Sequence, residues 1–112
     1  MGIALGNLQQ DVVEDQTISD QAAATTFATF TAPFGGQADI TIDLATTSTL
    51  ELRVTPSGGS EVSKGLLNSG SSLTGGDTYG FTFTITAGAK YGFRVATAQS
   101  GDLVVAVVAR LT

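Results

Sequence analysis

Asp39 and Asp43 are the two carboxylates whose spacing best suits joint chemistry. They flank Thr41 in DITIDL, where Ile40, Ile42 and Leu44 alternate onto the opposite face of a strand. Taken as roughly 7 Å apart, with Glu51 on a neighbouring strand, they would suit a water-mediated acid–base pair or a calcium site completed by carbonyls. No DxDxDG loop accompanies them, and alternating Asp on an outer face is an ordinary way to keep a strand wetted. The acidic run DVVED, residues 11–15, reads as a solvated arm. Ser63 and Lys64 form a nucleophile–base pair by residue type only, because neighbours on a strand point to opposite faces.

The remaining chemistry is excluded by composition. The chain has no His and no Cys, which removes Ser-His-Asp and Cys-His catalysis, His- or Cys-ligated metals, and any disulfide framework. Its glycine clusters lack the lysine and the strand–helix setting of a phosphate-binding loop. Trp is absent, and the two tyrosines, Tyr79 and Tyr91, fall on an inward-facing row, so aromatic platforms for a sugar are missing. The expectation is a non-enzymatic protein with no catalytic residue, no metal and no cofactor.

The elements that carry these residues are strands. At 112 residues the chain is one domain, and with 13% charged and 42% hydrophobic residues it has the means to bury a core. Thr is the commonest residue, ahead of Gly and Ala, and short apolar runs alternate with turn residues every 8 to 12 positions. The pattern predicts an all-β, antiparallel β-sandwich or jelly roll of seven or eight strands. Residues 1–20 are expected as an N-terminal arm or edge strand and residues 21–112 as the sandwich domain. Strands are expected at 22–34, across DITIDL and TLELRV, and at 78–85, 90–97 and 103–111. A turn is expected at PSGG, residues 56–59, and residues 61–73 read as either a strand or an ordered loop.

A net charge of −5 with only two lysines argues against a nucleic-acid surface, which needs clustered Lys and Arg. The start, MGIALGNLQQD, has no basic region and too short an apolar run for a signal peptide or a membrane span. Gly6 stands where a myristoylation motif after Gly2 wants Ser or Thr. Synthesis in a cytoplasm is the expectation, with no membrane partner.

GFTFTITAGAKYGFRV, residues 80–95, reads as a hairpin with its loop at 86–90. Ile85 would then lie across from Tyr91, Phe83 from Phe93 and Phe81 from Val95, all on one face. LVVAVVARL, residues 103–111, breaks the alternation and is apolar on both faces until Arg110. Either it is a central strand covered by a loop or the N-terminal arm, or Val104, Ala106 and Val108 meet another subunit. The second is preferred here, because a small domain with few charges and no disulfides gains stability from oligomerisation.

The C-terminal third, GGDTYGFTFTITAGAKYGFRVATAQSGDLVVAVVARL, resembles the closing strands of small jelly-roll or β-sandwich virion proteins. In these a Gly-Asp turn opens a strand of alternating aromatics, an Ala-Gly turn follows, and an apolar strand ends the chain. The resemblance implies a capsid decoration, cement or turret protein of a tailed double-stranded-DNA virus of bacteria or archaea. Such a protein is located in the virion, self-associates as a trimer or pentamer, and binds a capsid protein. The interface residues expected are Val12 and Val13 in the arm and Val104, Ala106 and Val108 in the last strand. Similar patterns occur in secreted sandwich modules attached to bacterial and archaeal proteases. The alternative is therefore a cell-surface or carbohydrate-binding module, with Asp39, Asp43 and the loop 70–77 as its candidates.

Overall fold

A computed structural model describes residues 9–20, 25–96 and 100–111. The expected strand positions 22–24 and 97, and the start that includes Gly2, lie outside these residues. Eight strands form: β1 (Gln9–Ser19), β2 (Thr26–Thr31), β3 (Gly36–Leu44), β4 (Leu50–Thr55), β5 (Val62–Leu66), β6 (Thr78–Ile85), β7 (Lys90–Val95) and β8 (Asp102–Arg110). They build two four-stranded antiparallel sheets, β1-β8-β3-β6 (sheet A) and β2-β7-β4-β5 (sheet B). The expected β-sandwich is observed.

The pairing is nested. β4 pairs with β5, β3 with β6, β2 with β7 and β1 with β8. The chain is thus a long antiparallel ribbon folded back at the β4–β5 turn, where Gly59 N–H donates to Pro56 C=O. Gly58, at φ 75°, supplies a left-handed position in that turn. Rolling the ribbon adds β3·β8 and β4·β7, so among the described residues β4 and β5 are the only consecutive strands that share a ladder.

One expectation is corrected here. Residues 80–95 do not form a hairpin: β6 lies in sheet A against β3, while β7 lies in sheet B between β2 and β4. The intervening turn is held by Ala32, whose N–H donates to Ala89 C=O and whose C=O accepts from Gly88 N–H. That docking carries the chain across to the second sheet. The aromatic rows still meet, but through the core, with Phe83 at 5.6 Å from Tyr91 and 6.2 Å from Phe93 between ring centroids. The sequence pattern is the same for both arrangements, since each needs one apolar face per strand.

Residues 9–19 take the second of the two forms expected for the start of the chain, an edge strand. They form the outer strand of sheet A and pair with β8 along its length. Residues 61–73, read as either strand or loop, contain β5 followed by a 3-10 turn at Asn68–Gly70.

Two bulges reconcile uneven apolar spacing with a strand period of two. In TFATFT, Phe27 and Phe30 are three residues apart, yet they face Phe93 and Tyr91, which are two apart. The extra residue is absorbed around Ala28, at φ 53°, and both phenylalanines reach the core. In β1, register shifts around Val12 and Glu14–Asp15 turn Val13 and Ile18 toward the core. The core itself is continuous between the sheets. Phe93, Val95, Ile42, Leu50, Leu73, Leu103, Val105 and Val107 are fully buried.

Candidate functional site

The face of sheet A that points away from the core is set by β8. Leu103, Val105, Val107 and Ala109 are buried, so Val104, Ala106, Val108 and Arg110 emerge on the other side, half-buried. The register places Val104 opposite Asp43, Ala106 opposite Thr41, and Val108 opposite Asp39 on β3. Thr78, Gly80 and Thr82 of β6 continue these rows outward, and Thr17 and Asp11 of β1 flank Val104 and Val108 on the other side. The result is an apolar stripe along the middle of a polar sheet, about 14 Å long from Val104 to Val108 at the strand rise. Where the β1 bulge meets the stripe, a depression of about 290 Å³ is lined by Val13, Glu14, Asp15, Ala106 and Val108.

β8 is therefore central, as one sequence reading allowed, and the described part of the expected arm does not cover its outer face. β1 lies beside it in the plane of the sheet, not over its face. Val104, Ala106 and Val108 are brought together on one surface. Val12 is half-buried and packs against the core. Val13, expected at an interface, is 8% exposed and belongs to the core of the single chain.

Asp39 is already engaged. Arg110 donates from Nε to Asp39 Oδ2 at 2.6 Å and from Nη2 to Asp39 Oδ1 and Gln37 Oε1, and Thr82 donates to Asp39 Oδ1 at 2.7 Å. The hydrogen bonds from Arg110 and Thr82 hold the Asp39 carboxyl below its ordinary value, against a slight upward push from burial. Asp43 stands four residues away on the same strand, about 14 Å at the strand rise, twice the expected separation. Glu51 is on the outer face of sheet B, on the other side of the molecule. The three carboxylates expected together are thus kept apart, because β3 and β4, though consecutive, belong to different sheets. Among the described residues no group of three or more Asp, Glu, His or Cys could hold a metal ion. Ser63 and Lys64 are both exposed on β5, where Ser63 Oγ accepts from Gly65 N–H.

The outer face of sheet B has the opposite character. Lys90, Gly92 and Arg94 of β7 run beside Thr55, Arg53 and Glu51 of β4. Gly92 leaves a hollow of about 270 Å³ between Thr26, Thr29, Arg53, Thr55 and Lys90. A side chain at Gly92 would meet the Thr29 methyl at 2.9 Å, so the hollow depends on glycine there. Arg53 is tied to Glu51 at 2.8 Å and to Glu61 at 2.9 Å. Burial pushes Glu51 up, but hydrogen bonds from Arg53 and Ser63 and the charges of Arg53 and Arg94 outweigh it and hold it low. Among the described residues the exposed large hydrophobics, Val62 at 48% and Leu66 at 41%, lie on β5, the outer strand of this sheet.

Charge is divided between the sheets, and all fifteen charged side chains are among the described residues. Sheet A and its turns carry eight acids (Asp11, Glu14 and Asp15 on β1, Asp39 and Asp43 on β3, and Asp20, Asp77 and Asp102 toward one end) against Arg110, a formal −7. Sheet B and its turns carry Glu51 and Glu61 against Arg53, Lys64, Lys90 and Arg94, a formal +2. Together these make the net −5 of the chain. Sequence reasoning missed this division and the exposure of Val62 and Leu66. The signal for the second was present, because Val62-Ser-Lys-Gly-Leu66 has apolar residues without a period-two partner.

The chain matches no protein-family model and no curated protein. Among the described residues no helix is long and apolar enough to cross a membrane.

Proposed function

We propose that this is a structural protein of a virion, a capsid decoration, cement or turret protein that self-associates and binds a capsid shell without catalysing a reaction. The observation that carries the reading is the Val104–Ala106–Val108 stripe, apolar surface held in the middle of an otherwise polar outer sheet. The nested strand pairing supports reading the sandwich as a jelly roll, the fold that the resemblance of the C-terminal third implies. The mechanism is passive. Burying apolar area between subunits contributes about 25 cal/mol per Å², and a stable contact of roughly 1,200–2,000 Å² reinforces whatever shell it spans.

The carbohydrate-binding alternative loses support at Asp39, whose carboxylate is occupied by Arg110 and Thr82. Sedimentation velocity of the purified chain tests the proposal. A closed trimer or pentamer is expected, and a monomer at every concentration overturns it. Glycan-array binding that disappears in Asp43→Ala would make the protein a carbohydrate-binding module instead.

A further inference from the structure

The self-association just proposed requires an occupant for the outer face of sheet A, and charge selects one. We propose that this face is covered by a second copy of the chain docked head to tail, through the outer face of sheet B and the β5 edge of the next copy. The inference rests on the reading of the protein as self-associating, and adds the polarity and the two surfaces of the contact.

Two arrangements of identical copies are possible. In an isologous dimer the sheet A faces would meet each other, setting one −7 half against another −7 half across their most acidic surfaces. In a heterologous contact the −7 half of one copy meets the +2 half of the next. Opposed like charges disfavour the first arrangement and steer encounter toward the second.

The apolar surfaces agree with the charges. The stripe Val104–Ala106–Val108 lies between Asp39 and Asp43 on one side and Asp11 on the other. On β5, in the basic half, exposed Leu66 lies opposite outward-facing Glu51, while exposed Val62 lies opposite core-facing Val54 at the same open edge. Each half thus offers an apolar element, and the two halves carry net charge of opposite sign. β5 is also the outer strand of its sheet, five residues that are all exposed, and an open edge of this kind is a surface that a partner covers. Head-to-tail contacts leave a free face at each end unless a rotation between copies closes a ring, so this contact does not saturate at a dimer.

The test uses two double variants of the full chain. Asp43→Lys with Val108→Lys spoils the sheet A face, and Lys90→Glu with Arg94→Glu spoils the sheet B face. Circular dichroism and cooperative unfolding check that each folds. Both variants alone are expected to weaken self-association by on the order of 100-fold and to sediment as monomers. An equimolar mixture is expected to give a one-to-one heterodimer and nothing larger, since each partner keeps one intact face. The wild-type oligomer should also dissociate as salt rises.

A sheet B variant that keeps the wild-type mass overturns the head-to-tail contact and leaves self-association standing. Loss in both variants with no heterodimer on mixing overturns it as well. A wild-type chain that is monomeric at every concentration overturns both this inference and the reading beneath it.

Discussion

At the scale of single residues, the best-defined polar contact is Asp39 with Arg110 and Thr82. Its carboxyl is held below the usual 3.8, so its contribution to stability is complete above that value and is lost as pH falls through the depressed one. The side chains are 41% and 35% exposed, and solvent screening keeps the effect small. Asp39→Asn should lower the thermal midpoint at pH 7 by on the order of a few degrees. As pH falls through the depressed value the difference from wild type should shrink, because the native carboxyl is then protonated as well. Melting curves across this range would check it, and a difference that persists in acid would assign the effect to packing. The outward position of Asp39 was legible in its alternation with Ile40 and Ile42. Its partner was not, since Arg110 is 71 residues away and only the β3·β8 register brings them together.

At the scale of elements, residues that look alike in the pattern carry different burdens. Phe81 and Phe93 both belong to alternating aromatic rows, yet Phe93 is fully buried in a central strand and Phe81 is half-exposed on the outer strand β6. Phe93→Ala should cost about 3–5 kcal/mol by leaving a cavity. Phe81→Ala should cost only about 1–2 kcal/mol, the transfer of part of a ring. Urea denaturation separates the two, and equal losses would contradict the placement of β6 at an edge. The bulge at Ala28 teaches a related lesson. TFATFT violates period two, and a strict strand would turn either Phe27 or Phe30 to solvent. A left-handed backbone position at a small residue was the less costly solution.

At the scale of the whole molecule, β1 and β8 close the nested ribbon, pairing the described start of the chain with its end. Strand β8 carries four fully buried side chains and has ladders on both sides. A chain beginning at residue 21 would leave the β8 edge open beside half-buried Val104, Ala106 and Val108. It should lose cooperative unfolding and aggregate, since long apolar edges template intermolecular pairing. Size-exclusion chromatography and thermal melts of that truncation would check this, and a soluble, cooperatively melting product would show β1 to be dispensable. The division into a −7 half and a +2 half also exists only at this scale. The chain's passage from sheet to sheet at every connection but β4–β5 collects the DVVED run and the scattered acids of β3 and the turns on one side.

Alternation and turn residues alone were enough to determine an all-β sandwich, the β4–β5 turn, the inward rows of β3, β4 and β7, and the anomaly of β8. These follow from period two and from local backbone preferences, which are written residue by residue. Which strand neighbours which was decided by tertiary structure. An apolar row packs equally well against a ladder partner or against the opposite sheet, so GFTFTITAGAKYGFRV is compatible with a hairpin and with the crossing it makes. The same freedom explains why Val13 turned inward and why Glu51 went to the far side from Asp39. It also explains how a mildly acidic chain came to present two faces of opposite charge.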